Sequence, residues 1–212
     1  MFFLAFEGLD GSGKSSLMSQ LQSYLSAHNT SYIKTREPGG TFVGDQLRNI
    51  ILTKSEEAPT ARTELLLYEA SRAQHVDLVI RPALARKEWV LCDRFSASSV
   101  AFQAGGRKIS EDQVHWLNAF ATDKLKPNLN ILLDLTVEES QKRRQKRAQE
   151  LNETEDRIES EEASFHQRVR EGFLKQARQL PNEWLVLDAS EPPEHLFKVL
   201  MNELKVNRKW LE

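Results

Sequence analysis

Among its 212 residues the chain has a single cysteine, Cys92, so it forms no internal disulfide, and a reducing, cytoplasmic setting suits it. Its five histidines fall into no metal-ligand spacing with that cysteine, so no structural zinc centre is expected. Neither sign of charge is in excess: 29 Lys and Arg stand against 31 Asp and Glu, the net charge is -2, and the pI is near 6.3. A dedicated nucleic-acid binder shows a basic balance, so no nucleic-acid partner is expected, whereas small anionic ligands remain open. No apolar run is long enough to span a bilayer, and no membrane partner is expected. The apolar stretch at residues 2–6 is cut short by Glu7 and lacks a basic leader and a cleavage site, so it reads as a buried strand rather than a signal peptide. Internal repeats and low-complexity linkers are missing too. The length fits one domain, typically about 100–200 residues, so 1–212 is expected to be a single unit.

What is present is a cluster of glycines directly after that first apolar stretch. Gly8-Leu9-Asp10-Gly11-Ser12-Gly13-Lys14-Ser15 has the form G-x-x-x-x-G-K-[ST], a phosphate loop between strand and helix, and Ser16 completes the candidate ATP-binding set. Glycines let the backbone turn N–H groups toward phosphate oxygens, Lys14 supplies a cation for the β and γ phosphates, and Ser15 offers a hydroxyl to Mg²⁺. An amphipathic helix follows, with Leu17, Met18, Leu21, Tyr24 and Leu25 on one face.

Short apolar runs at residues 2–6, 31–35, 89–93, 130–134 and 184–188 alternate with helical patterns. The pattern predicts an α/β P-loop fold: a five-stranded parallel sheet with helices on both faces and the ligand site at the carboxyl ends of the strands. Glu7, Arg36-Glu37 and Asp93-Arg94 occupy those ends. Asp93 closes a buried strand, as a Walker-B type aspartate beside Mg²⁺ does. Arg36, Arg48 and Arg94 are candidates for a second phosphate, because guanidinium forks bind phosphate bidentately and keep their charge. Arg48 taken alone reads as a solvated position on a helix bearing Val43, Leu47, Ile50 and Ile51. Tyr68 and Arg72 stand four apart in a helical stretch at 63–85 and project from one face. Between 142 and 162 a basic cluster (Lys142, Arg143, Arg144, Lys146, Arg147) runs into an acidic one with few apolar residues, so this stretch is expected to be helical with little hold on the core. Cys92 reads as a small buried residue. Apolar helix positions at Leu65-Leu66 and 76–79 fit either the core or a subunit contact.

Taken together, Phe6 to Lys14, Thr35-Arg36-Glu37-Pro38-Gly39-Gly40, Asp93-Arg94-Phe95 with Ser98-Ser99 and Ala101-Phe102-Gln103, and Asp156-Arg157-Ile158-Glu159 resemble bacterial thymidylate kinase in order and spacing. The resemblance implies a nucleoside monophosphate kinase that transfers the γ-phosphoryl group of ATP to dTMP, with Mg²⁺, in dTTP biosynthesis, and a homodimer. It assigns Arg36, Arg48 and Arg94 to the dTMP phosphate, Tyr68 to stacking on thymine, and Arg72 to its O4. Phe102 would exclude a ribose 2′-hydroxyl, Gln103 and Ser99 would lie near the base edge, and Asp10 would meet the sugar 3′-hydroxyl. Glu37 would be an ancillary carboxylate near the metal. A mobile lid at about 142–160 would bring Arg143 and Arg147 over the ATP phosphates, since position 11 is Gly where eukaryotic members carry a basic residue. Other small-molecule kinases of this fold, a nucleotide-operated switch and a noncatalytic module are the competing readings; no Asn-Lys-x-Asp guanine-reading motif favours the switch.

Overall fold

The computed structural model describes residues 1–151 and 154–211. Five parallel strands, β1 (Phe3–Glu7), β2 (Tyr32–Arg36), β3 (Trp89–Asp93), β4 (Leu129–Asp134) and β5 (Trp184–Asp188), form one sheet in the order β2-β3-β1-β4-β5. Alternation along β1 explains why both faces are covered. Leu4 and Phe6 point to one side, where they meet Leu17, Met18, Leu21 and Leu25 of α1 (Lys14–Ala27). Phe3 and Ala5 point to the other, against Val76, Ile80 and Phe95. A strand buried on both faces reads as a continuous apolar run, as the three central strands β3, β1 and β4 do, whereas the edge strands β2 and β5 keep exposed positions. β1 extends one residue past the expected run because Glu7 pairs in register with Leu132.

From β1 the chain crosses to β2 on one side, and from the adjacent β3 it crosses to β4 on the other, so the carboxyl ends of β1 and β3 open onto the crevice where the direction of the connections reverses. Around that crevice lie α2 (Phe42–Leu52) and α3 (Ala61–His75). Thr41 starts α2 by accepting the Gly44 N–H on its hydroxyl at 3.0 Å, satisfying one orphan donor of the first turn. The helical stretch expected at 63–85 is divided: a π turn at Val76–Ile80 separates α3 from α4 (Arg81–Ala85). After β3 come α5 (Ser96–Ser99), a second π turn at Val100–Gly106, and α6 (Glu111–Ala121).

Following β4, α7 (Val137–Leu151) carries the basic cluster, and α8 (Ala163–Gln179) and α9 (Pro193–Asn202) complete the layers. The expectation that 142–162 has little hold on the core fails at three residues. Arg144, Ile158 and Glu159 are buried, and Arg144 Nη1 donates to the Glu159 carbonyl. Asp156 Oδ1 accepts the N–H groups of Ile158 and Glu159, each at 2.8 Å, which fixes the turn. A charged stretch is thus anchored by hydrogen bonds and one isoleucine rather than by an apolar stripe. Glu153 of the acidic run lies outside the described residues.

Candidate active site

The phosphate loop leaves β1 where backbone approaches backbone. A Cβ at Gly8 would stand 2.5 Å from the Leu133 carbonyl oxygen, so no other residue fits there. Lys14 is buried, and its Nζ donates to the Gly8 and Leu9 carbonyls at 3.2 and 3.1 Å. Burial, then the Arg94 cation, lower its pKa. Asp10 pairs with Arg94 Nη2 at 2.8 Å and with Lys14 at 3.7 Å. Burial opposes its ionisation, but these two cations outweigh burial and hold the carboxyl below its ordinary range.

Two cavities meet at this loop. The first is walled by the acceptor-side candidates: Asp10, Glu37, Arg48, Tyr68, Arg72, Arg94, Ser99, Phe102 and Gln103. The second runs along Gly11, Gly13, Lys14, Ser15 and Ser16 to Asp93, Arg36, Arg143 and Arg147. Asp10, Glu37, Arg48, Arg94 and Asp156 belong to both walls, so the cavities share a boundary lined by two arginines. Arg48, which alone reads as solvated, is brought into this boundary and donates to the Pro38 carbonyl at 3.1 Å. Arg36 is more peripheral: it borders only the second cavity, with its side chain 59% exposed and 3.8 Å from Asp45.

Arg72 is not the open fork the sequence reading expects. Nε donates to Glu37 at 2.7 Å, Nη1 is shared among Glu69, Ser99 and Asn118, and Nη2 donates to the Phe95 carbonyl at 3.1 Å. Of its five N–H groups, one on Nη2 is left for a ligand. Ser99 is similarly committed, donating to Glu69 at 2.8 Å. Tyr68 is half-buried in the cavity wall rather than packed in the core. Phe102 lies under the Arg94 guanidinium, 5.0 Å from ring centroid to Cζ.

The donor set fits a divalent cation at one carboxylate. Asp93 Oδ1 is buried with no hydrogen-bond partner among the described residues, so its lone pairs can ligate a cation. Ser15 lines the same wall. Both oxygens of Glu37, the expected ancillary carboxylate, already have a partner, Oε2 in Arg72 at 2.7 Å and Oε1 in His75 Nδ1 at 2.9 Å.

The start of α7 and the phosphate loop are complementary in shape. A Cβ at Gly11, which has φ +80°, would stand 3.1 Å from both Arg143 Cβ and the Ser140 carbonyl oxygen. Ser140 Oγ donates to the Asp10 carbonyl at 2.7 Å, tying α7 to the loop. Arg143 reaches Glu139 at 3.0 Å and the Ala189 carbonyl at 3.1 Å, while Arg147 meets Glu159 at 2.5 Å.

Several supporting residues escape sequence reasoning. Glu64, Glu69, His75, Arg107 and Asn118 form the shell behind Arg72 and Gln103. Glu64 lies four residues before Tyr68 on α3, a spacing that hints at a shared face. Its partner Arg107 is 43 residues away, and no local pattern announces that pair. Cys92 is buried as expected, its thiol pushed up by burial and donating to the Arg94 carbonyl at 3.0 Å.

Glu7 lies beneath this boundary, fully buried, and accepts from Ser98 Oγ at 2.6 Å and the Phe95 N–H at 2.9 Å. Burial raises its pKa from 4.5 to about 7, against the opposing effect of Ser98 and Arg94. Between those values the folded protein keeps a proton that the unfolded chain has released. The Glu7 contribution to stability is therefore fully present below pH 4.5 and lost as the pH rises through about 7. Without nucleotide or divalent cation, the melting temperature of the wild type relative to Glu7→Gln should fall across this window, by the equivalent of about 3 kcal/mol. A difference that does not change with pH would show that Glu7 is ionised throughout.

Comparison with known proteins agrees with this geometry. A thymidylate kinase family profile matches residues 6–199. The chain is 62% identical to the thymidylate kinase of Bdellovibrio bacteriovorus over 204 residues, covering 96% of this chain and 95% of that protein. It is 42% identical to the thymidylate kinase of a Sulfurihydrogenibium species, covering 96% and 97%, and 40% identical to that of Lactobacillus acidophilus, covering 96% and 94%. A phosphate loop that shares its wall with an arginine-lined acceptor cavity, and relatives aligned over nearly the whole chain, place this protein in the thymidylate kinase family.

Proposed function

We propose that this chain is a dTMP kinase that transfers the γ-phosphoryl group of ATP to dTMP, giving dTDP and ADP, with Mg²⁺, as a step toward dTTP. The carrying observation is the common boundary of the two cavities, where Arg48 and Arg94 stand between a phosphate loop and a pocket for a ring and a sugar. Phosphoryl transfer between two anions needs positive charge at that position. An oxygen of the dTMP phosphate, already anionic at neutral pH, forms the new bond to the γ phosphorus as the bond to the β–γ bridging oxygen breaks and ADP departs. No side-chain nucleophile or general base is needed, so positioning and charge carry the acceleration.

On this reading Lys14 and the loop N–H groups from Gly8 to Ser16 hold the donor phosphates, and Arg94 and Arg48 hold the acceptor phosphate, with Arg36 at the mouth. Asp93 and Ser15 would hold Mg²⁺, which supplies charge neutralisation between the phosphates when bound. Asp10, kept ionised by Arg94 and Lys14, accepts the sugar 3′-hydroxyl. Tyr68 stacks on the base, Arg72 donates its one remaining N–H to O4, and Phe102 occupies the space that a 2′-hydroxyl would need. The whole of 1–212 acts as one kinase domain, with the lid at about 142–160.

Initial rates of ADP release with ATP, Mg²⁺ and a panel of dTMP, dUMP, ribo-TMP, dCMP, dGMP, AMP and thymidine test this. Fast turnover is expected with dTMP, slower with dUMP and none with thymidine. Turnover with thymidine but not dTMP would move the arginines away from an acceptor phosphate, and hydrolysis indifferent to all acceptors would favour a switch.

Exposed apolar side chains support the homodimer. Leu65 and Val76 are core residues, whereas Leu66 and Leu78 are 56% and 61% exposed. On α6, Trp116 and Phe120 stack on each other at 5.9 Å while 66% and 75% exposed. Sedimentation equilibrium should give twice the 24.4 kDa chain mass, and Trp116→Lys should shift it to the monomer. No described helix is long and apolar enough to cross a membrane, and the single buried thiol accords with a cytoplasmic location.

A further inference from the structure

Gln103 lies in the acceptor wall with Tyr68, Arg72 and Phe102, and its Nε2 donates to Glu64 Oε1 at 3.0 Å. Glu64 is fully buried on α3 and is clamped from the other side by Arg107 Nη2 at 2.9 Å and Arg157 Nη2 at 2.7 Å. Burial alone would raise its pKa, but Arg107, Gln103 and Arg157 together lower it, so the carboxylate stays ionised. An ionised carboxylate accepts hydrogen bonds and cannot donate one. It therefore dictates which end of the Gln103 amide faces it. The nitrogen is held against Glu64, and the amide oxygen, which meets no donor among the described residues, is the end left for a ligand. Ser99, the other polar group expected at the base edge, is already bonded to Glu69 and Arg72.

We propose that Glu64 is a positioning residue for base selection: by fixing the Gln103 amide it presents an acceptor oxygen to an N3–H pyrimidine, thymine or uracil, and turns away cytosine. The inference rests on the dTMP reading above and adds the residue that sets its specificity. Thymine offers a donor at N3 and an acceptor at O4, which match the Gln103 oxygen and the remaining Arg72 N–H. Cytosine offers a lone pair at N3 and an amino group at position 4, so both contacts become mismatched. A site built to hydrogen-bond a group rejects the analogue lacking it far more strongly than an apolar pocket does. Were Glu64 neutral, the amide could turn over and donate to cytosine N3.

The test is kcat/KM for dTMP, dUMP and dCMP in the wild type, Gln103→Met, Glu64→Gln, Glu64→Asp and the double variant Glu64→Gln with Gln103→Met, each checked by thermal melting. Glu64→Asp keeps the charge between Arg107 and Arg157 but withdraws the acceptor from Gln103, so it serves if Glu64→Gln does not fold. Gln103→Met should lower the dTMP to dCMP preference about tenfold or more, and whichever Glu64 variant folds should lower it to a similar degree. The double variant should fall no further than Gln103→Met. An unchanged preference in Gln103→Met, or a Glu64 variant that slows dTMP and dCMP equally, overturns the assignment, because a purely structural role would act on both substrates alike. Absence of dTDP formation by the wild type would instead overturn the kinase reading.

Discussion

Arg94→Ala should reduce kcat/KM for dTMP by about a thousandfold or more, the largest single loss expected in the acceptor half of the site. Three contacts converge on this guanidinium, which belongs to the walls of both cavities: it pairs with Asp10 at 2.8 Å, donates to Ser98 Oγ at 3.4 Å and covers the Phe102 ring at 5.0 Å. Its backbone is held at φ 69°, a left-handed conformation that costs a non-glycine residue about 1–2 kcal/mol. The N–H of Arg94 bonds the Phe6 carbonyl at 2.9 Å, so the end of β1 sets that conformation. Strain kept at a residue that borders both cavities is consistent with positioning as its task. Removing the side chain takes away charge at the transferred group and also leaves Asp10 without its shortest partner, so the sugar contact should loosen as well. Arg94→Lys separates the two effects. It retains a point charge but not the fork, so it should recover part of kcat while KM for dTMP stays raised. Steady-state kinetics on both variants decide the matter; an Arg94→Ala enzyme within tenfold of wild type would place the acceptor phosphate elsewhere.

The parts legible in the sequence are those fixed by local pattern. The strands announce themselves as short runs between helical patterns, and the phosphate loop does so because its glycines answer a local demand, the positive φ of Gly8, Gly11 and Gly13. The residues at strand ends, Glu7, Glu37, Asp93 and Arg94, could be placed because a parallel sheet puts its chemistry there. What could not be read is the satisfaction of buried polar groups across the chain. Arg72 lines the same cavity as Tyr68, yet its partners Glu37, Ser99 and Asn118 are 35, 27 and 46 residues away, and only the fold reveals how few donors it has left. The same holds for Glu37, whose partners Arg72 and His75 no local pattern announces. The stretch at 142–162 misleads for a related reason: Arg144 counts as polar in any hydropathy pattern but is buried against the Glu159 carbonyl and the Glu155 carboxylate.

The second large effect concerns the donor half. Arg143→Ala and Arg147→Ala should each lower kcat by about a hundredfold to a thousandfold while changing KM for dTMP by less than about threefold, since neither side chain lines the acceptor cavity. The argument begins at Gly11. A loop with no side chain at that position carries no cation of its own over the β–γ bridge, and the space is filled by α7, whose Arg143 Cβ is 3.1 Å from where a Gly11 Cβ would lie. Arg143 and Arg147 are one helical turn apart, so both face the phosphate loop from the same side of α7. Arg147 meets Glu159 at 2.5 Å, and Glu159 is in turn fixed by the Asp156 turn and by Arg144. That contact gives the lid a resting partner which the γ phosphate must outcompete. Glu159→Gln removes the competing charge but keeps the side chain's size, so it should lower KM for ATP while Arg147→Ala lowers kcat. Opposite responses of the two variants would show Arg147 exchanging a carboxylate for a phosphate. Wild-type kcat in both arginine variants would take α7 out of the mechanism and leave the charge on the transferred group to Lys14, Arg48, Arg94 and the bound cation.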